Sequence, residues 1–188
     1  MTIEELLNIL ATEKPSIEIK KYETELFTLI PELEACKGFI SNIIPGSKDT
    51  YENILSIIDN CQNNVITRLS ALFIDIGKPI AYKQTTNNKK FWQLSEEIFK
   101  SFSEKNNIDI KLKNTVLKVM HYHELNINIL NDSIIQKLTT TLSKEELILI
   151  FQLQRAIIQT QNYKYNSVIE KHKFQEIRIL SKYKEKGE

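Results

Sequence analysis

Glycine and proline are scarce in this sequence of 188 residues, with four of each. A sheet joined by many tight turns needs more of both, so their scarcity points away from β architecture. Cysteine is nearly absent: Cys36 and Cys61 stand at no metal-ligand spacing and read as small buried hydrophobes. Histidine occurs only three times, at His121, His123 and His172. No apolar run approaches the ~20 residues that a membrane span needs. The residues after Met1, TIEELLNIL, offer neither a basic flank nor a long apolar stretch, so they do not form a signal peptide. The expectation is a cytoplasmic protein with reduced thiols and no membrane partner. An excess of charge is missing too, because 25 basic residues face 24 acidic ones for a net charge of +1. No global field recruits nucleic acid, and any such contact has to come from a local patch.

What is present is helical periodicity, with the few glycines and prolines falling between periodic segments. Thr2-Ile-Glu-Glu5 is a capping box opening a first helix. Pro15-Ser16 starts a second segment, Pro31 takes a helix N1 position and Gly38 ends that piece. Residues 38–49 form a connection. Asp49 or Thr50 caps a helix with Ile54, Ile57, Ile58 and Cys61 on one face, and Asn64 caps the next, with Val65, Leu69, Leu72 and Phe73 inward. Residues 80–90, IAYKQTTNNKK, read as an exposed loop. Leu94, Ile98 and Phe102 mark another amphipathic helix, ending near Asn106-Asn107. Val116, Met120 and His123 share a face of the one after it. Asn131-Asp132 opens a short helix, Ser143-Lys-Glu-Glu146 caps a long one to about Gln161, and a last helix covers roughly 165–185. The fold class is all-α, with about eight or nine helices.

One stretch breaks the amphipathic pattern. Residues 72–79, LFIDIGKP, place a single aspartate, Asp75, inside an apolar run that stops at once on Gly77-Lys78-Pro79. A buried carboxylate is costly unless something nearby satisfies it. Downstream stand VLKVMHYHEL and LQRAIIQTQN, and upstream KDTYENILSIIDN. This order of segments resembles the HD-domain metal phosphohydrolase fold, and in particular the HD region of CCA-adding tRNA nucleotidyltransferases, where the second helix ends on an apolar run, His-Asp, then Ile-Gly-Lys-Pro. Residues 5–38 resemble the helical segment preceding that region. The resemblance implies a neck-like segment over 1–47 and an HD-like domain with its C-terminal helix over 48–188.

The departures carry as much as the match. The family's first metal histidine falls at Asn53, the histidine of the His-Asp pair at Ile74, a further histidine at or close to Phe91 and the late aspartate at Ile157. Asp75 and His123 are the metal-ligand candidates that remain. Ile74 and Ile157 have no lone pair to offer, and two ligands do not make a tight transition-metal site. No cofactor is expected, with room only for weak divalent-metal binding on a carboxylate. The chain also lacks a Gly-Ser followed by Asp-x-Asp, so the resemblance implies no nucleotide addition by these residues.

The residual pocket is expected to hold Asp75, Lys78, His123 and Glu124. His121 and His123 point about 200° apart on a helix, and His123, three residues after Met120, is the inward one. An Asp75–His123 pair would satisfy both groups. Lys78 reads equally as a phosphate contact at the pocket mouth or as a surface lysine complementing a helix dipole. On the last helix Lys171, Arg178, Lys182 and Lys186 form a basic stripe opposite Ile169, Ile177 and Leu180, a candidate nucleic-acid contact beside Glu170, Glu176 and Glu185. Trp92, Tyr82, Tyr163 and Tyr165 are the aromatics available for stacking on bases. The expected function is a non-catalytic HD-like module binding a nucleotide, tRNA or another RNA, or a protein partner. A divergent metal-dependent phosphohydrolase built on Asp75 and His123 is the alternative.

Overall fold

Side-chain caps set the start of six helices. The computed structural model describes residues 1–40, 48–83, 89–125, 130–161 and 165–184. Its elements are α1 (Ile3–Leu10), α2 (Pro15–Lys21), α3 (Glu23–Leu29), α4 (Pro31–Glu34), α5 (Thr50–Asn60), α6 (Val65–Phe73), α7 (Lys78–Lys83), α8 (Phe91–Lys105), α9 (Ile110–Tyr122), α10 (Asp132–Thr141), α11 (Lys144–Thr160) and α12 (Tyr165–Lys184). Thr2 and Ser143 close capping boxes with Glu5 and Glu146, and Asp49, Asn64, Asp109 and Asn131 each accept from a first-turn amide. Gly38 ends the α4 region at φ +74°, a left-handed position that glycine adopts without strain.

The architecture is all-α, and no strand occurs among the described residues. Helical segments outnumber the eight or nine expected from sequence. The extra ones come from breaks that periodicity does not mark. Tyr22 leaves helical geometry at φ −112° and ψ 29°, dividing α2 from α3. The stretch read as a loop over 80–90 begins as helix α7, because Pro79 sits in its first turn, where a missing N–H costs nothing. Residues 84–88 of that stretch lie outside the described residues. No helix among those described is long and apolar enough to cross a membrane.

Helix α6 is the hub and packs against α1, α5, α8, α9 and α11. Phe73 on its last turn meets Phe99 edge-on at 5.1 Å between ring centres, with Phe102 at 5.0 Å. Burying each of these rings contributes roughly 2–3 kcal/mol. Leu6, Leu10, Ile19 and Leu26 of the N-terminal helices join the same cluster as Ile54, Leu72, Val116, Ile150 and Phe151. Arg68 ties the two ends together. It is buried on α6, and its Nη1 donates to the carbonyls of Leu10 at 2.7 Å and Thr12 at 2.6 Å, satisfying the C-terminus of α1. The hub thus delivers its own C-terminal end, residues 74–77, into the middle of the molecule.

Candidate functional site

The turn after α6 is built around a glycine. A Cβ on Gly77 would lie 2.3 Å from the Phe91 carbonyl oxygen and 2.8 Å from the Ser95 nitrogen, so only glycine lets α8 approach so closely. Ser95, buried on α8, locks the contact. Its hydroxyl donates to the Ile74 carbonyl at 3.0 Å and accepts from the Gly77 N–H at 3.0 Å. This clamp fixes Ile74, Asp75 and Ile76 against α8, and Lys78 then opens α7.

Asp75 is buried, and its satisfaction is local. Lys78 Nζ lies 2.8 Å from Asp75 Oδ2, and Asn53 Nδ2 reaches the same oxygen at 3.5 Å. The Lys78 ammonium also stands 5.1 Å from the centre of the Phe91 ring. The i to i+3 spacing across the turn brings lysine and aspartate together. The pair is partly sheltered, with the side chains 25% and 9% exposed. Lys78 therefore faces the Asp75 carboxylate, a contact that neither reading of this lysine included.

A cavity of about 240 Å³ opens beside this pair. Asp75, Lys78, His123 and Glu124 all line it, so the structure brings the four expected pocket residues together. Asn53, Ile74, Phe91 and Ile157 line it as well, which are the positions where the resemblance places the lost ligands. The expected Asp75–His123 pair does not form. His123 ends α9, and its Nδ1–H donates to the Met120 carbonyl. Its Nε2 sits 3.8 Å from Glu124 Oε1, too far for a hydrogen bond. The ring closes on its own helix end, so Asp75 takes Lys78 instead.

The donors at the cavity wall are mixed. Asp75 is held by an ammonium, His123 offers one nitrogen, Asn53, Glu124 and Gln161 add side-chain oxygens, and Ile74 and Ile157 present only carbon. Among the described residues no three His, Cys, Asp or Glu side chains cluster as ligands would. Cys36, behind Asp75, is unreactive: burial, and secondarily the Asp75 charge, push its thiol up to about 12. Cys61 is likewise pushed up to about 12 by burial.

The last helix departs from its expected faces. His172, Ile179 and Tyr183 are buried, whereas Ile177, expected inward, is 69% exposed. Ile177 falls about 200° from Ile179 around the helix, so the packing that buries one exposes the other. Arg178 Nη2 lies 2.7 Å from Asp132 Oδ1, and Lys182 is half-buried. Lys171 is exposed, and Lys186 lies outside the described residues, as does Tyr163. Tyr82 is exposed and meets Phe39 edge-on.

His172 is the residue that sequence reading missed. Flanked by Lys171 and Lys173, it looks like part of a wet face, yet it is 3% exposed. Its Nε2–H donates to Gln154 Oε1 at 3.0 Å, while Gln154 Nε2 donates to the carbonyls of His123 at 2.9 Å and Leu125 at 2.8 Å. Both amide hydrogens are thereby used, so the ring must be the donor and its Nε2 carries the proton. Nδ1 has no hydrogen-bond partner among the described residues. Burial, and secondarily Arg155, push the imidazole down to about 4, so it stays neutral at ordinary pH. The seven-residue spacing to Ile179 was the one available signal. No protein-family model matches the chain, and a search of curated proteins returns no match.

Proposed function

We propose that this chain is a non-catalytic, HD-like helical module whose role is to bind a partner. The observation that carries the reading is the state of Asp75: its carboxylate is neutralised by Lys78 at 2.8 Å, in a cavity walled by Ile74 and Ile157. A hydrolytic metal site needs an open coordination position and several donor atoms, to activate water and to steady the charge on phosphorus. The resemblance of the LFIDIGKP turn and its flanking segments to the HD region supports the scaffold. So does the gathering of Asn53, Ile74, Asp75, Phe91 and Ile157 around one cavity.

A protein partner is favoured over RNA by the charges of α12. Arg178 is engaged by Asp132, while Phe174 and Ile177 stand 66% and 69% exposed on the same helix. Purified protein is expected to show no hydrolysis of bis-p-nitrophenyl phosphate or 2′,3′-cyclic nucleotides with Mn²⁺, Ni²⁺ or Mg²⁺. It is also expected to show no tRNA gel shift that survives physiological salt. Metal-dependent turnover abolished by Asp75→Ala would establish the divergent phosphohydrolase instead. A salt-resistant shift would establish an RNA-binding subunit.

A further inference from the structure

A second recess adjoins the Asp75 cavity and has different chemistry. It measures about 320 Å³ and shares His123 and Glu124 with its neighbour. Its remaining wall comes from Trp92 at the start of α8 and from Met120, His121, Tyr122 and Leu125 at the end of α9. The His121 ring stands at 81° to Trp92, with centres 6.0 Å apart, and at 80° to Tyr122, with centres 4.9 Å apart. His121 thus meets both rings edge to face, and all three line the recess. Glu96 Oε1 lies 3.0 Å from His121 Nδ1 and fixes the orientation of that ring.

Among the described residues no lysine or arginine lines the recess, and Glu124 stands on it with its side chain 54% exposed. In the adjoining cavity the Lys78 charge is cancelled by Asp75. The local balance is therefore anionic, against a nearly neutral chain. We propose that this recess binds an organic cation of single head-group size, an alkylammonium or a guanidinium. Aromatic faces attract such ions through their quadrupoles, and the exposed Glu124 carboxylate adds a weaker, solvent-screened attraction. A volume near the lower bound of ligand sites suits one head group. A nucleotide could stack on the same rings, but its phosphate would meet Glu124, and no lysine or arginine among the described residues lines the recess.

Trp92 is the single tryptophan of the chain, so its fluorescence reports on this recess directly. The protein is titrated with choline, with acetyl-Gly-Arg-Gly-amide, with 3,3-dimethylbutanol as the neutral isostere of choline, and with adenosine monophosphate. At least one cation is expected to shift Trp92 emission saturably, and 3,3-dimethylbutanol to bind about tenfold more weakly than choline. Saturation by the peptide alone assigns the cation to a partner's arginine, and by choline alone to a small free ammonium. Glu124→Gln is expected to weaken the cation about three- to tenfold with the melting temperature unchanged. Equal binding of the neutral alcohol, saturation by adenosine monophosphate but by neither cation, no saturable change with any probe, or an unaltered affinity in Glu124→Gln each overturns the proposal. Phosphohydrolase activity at Asp75 would overturn the non-catalytic reading and leave this recess untouched.

Discussion

Asp75 and His172 are both polar, both buried and both close to the end of α9, yet the fold satisfies them in opposite ways. Asp75 is met by a lysine of the same segment, three residues on, across the turn that Gly77 and Ser95 clamp. His172 gives up its charge, and its partner Gln154 comes from another helix, binding α9, α11 and α12 at one amide. A carboxylate next to a lysine can stay ionised in a sheltered place, because Coulomb attraction and a hydrogen bond offset desolvation. An imidazole with no carboxylate bonded to it, and Arg155 nearby, is cheaper to bury neutral.

The largest effect is expected on the His172 side. Gln154→Leu keeps the volume roughly but strands three groups at once: the His172 Nε2–H and the carbonyls of His123 and Leu125. Each stranded buried group costs about 1–3 kcal/mol, so a loss of about 3–4 kcal/mol is expected. For a chain of this length that lowers the melting temperature by on the order of 10 °C, measurable by circular dichroism. A loss under about 1 kcal/mol would mean that these groups find other donors and acceptors, and the contrast with Asp75 would vanish. Lys78→Met should cost somewhat less, about 2–3 kcal/mol, because it leaves the Asp75 carboxylate sheltered with only the long contact from Asn53. Urea unfolding reads this directly, and no change in midpoint would show that water already reaches the aspartate.

A pH series sharpens the comparison further. The folded-state value of His172 is pushed down from 6.5 to about 4, so the unfolded chain binds the proton first as pH falls. Its stabilising contribution is complete above about pH 6.5 and is lost progressively toward pH 4, on the order of 2 kcal/mol in all. Glu176, whose carboxyl burial pushes up, titrates in the opposite sense and is bonded to Arg155. The quantity to measure is therefore the stability of the native chain minus that of His172→Gln, from pH 7.5 to 4. That difference should fall with acid, and a flat difference would place the ring in contact with water.

The sequence made the Asp75 side of this contrast readable and hid the other. A charge inside an apolar run is conspicuous, and Gly77-Lys78-Pro79 announces the turn beside it. Cap residues at Thr2, Asp49, Asn64 and Ser143 located the helix starts, because a cap acts within three residues. The choice of Lys78 over His123 as the partner of Asp75 was not legible. It depends on how far α9 reaches before His123 bonds back to Met120. His172, Arg68 and Ile177 were misjudged or overlooked for one reason: a helix's inward face is chosen by its neighbours, and polar flanks say nothing about rotation. The right-angled rings of Trp92, His121 and Tyr122 lie on two helices and have no sequence signature at all.

The smallest expected effect is the most diagnostic of how Asp75 is held. Asp75→Asn alone leaves the Lys78 ammonium, which is 25% exposed and can turn toward water, so the cost is about 1 kcal/mol. Lys78→Met alone leaves a buried charge and costs more. Combined, Asp75→Asn with Lys78→Met removes both charges and leaves an amide beside Asn53, in a cavity already lined by Ile74, Phe91 and Ile157. Buried ion pairs replaced by neutral groups of similar volume are often neutral in stability, so the double variant should lie within about 1 kcal/mol of the native chain. The two single costs then fail to add, with a coupling of about 2–3 kcal/mol in the cycle. Additive costs would mean that lysine and aspartate act independently. In that case the carboxylate would be open to another cation, and the inert reading of the cavity would lose its footing.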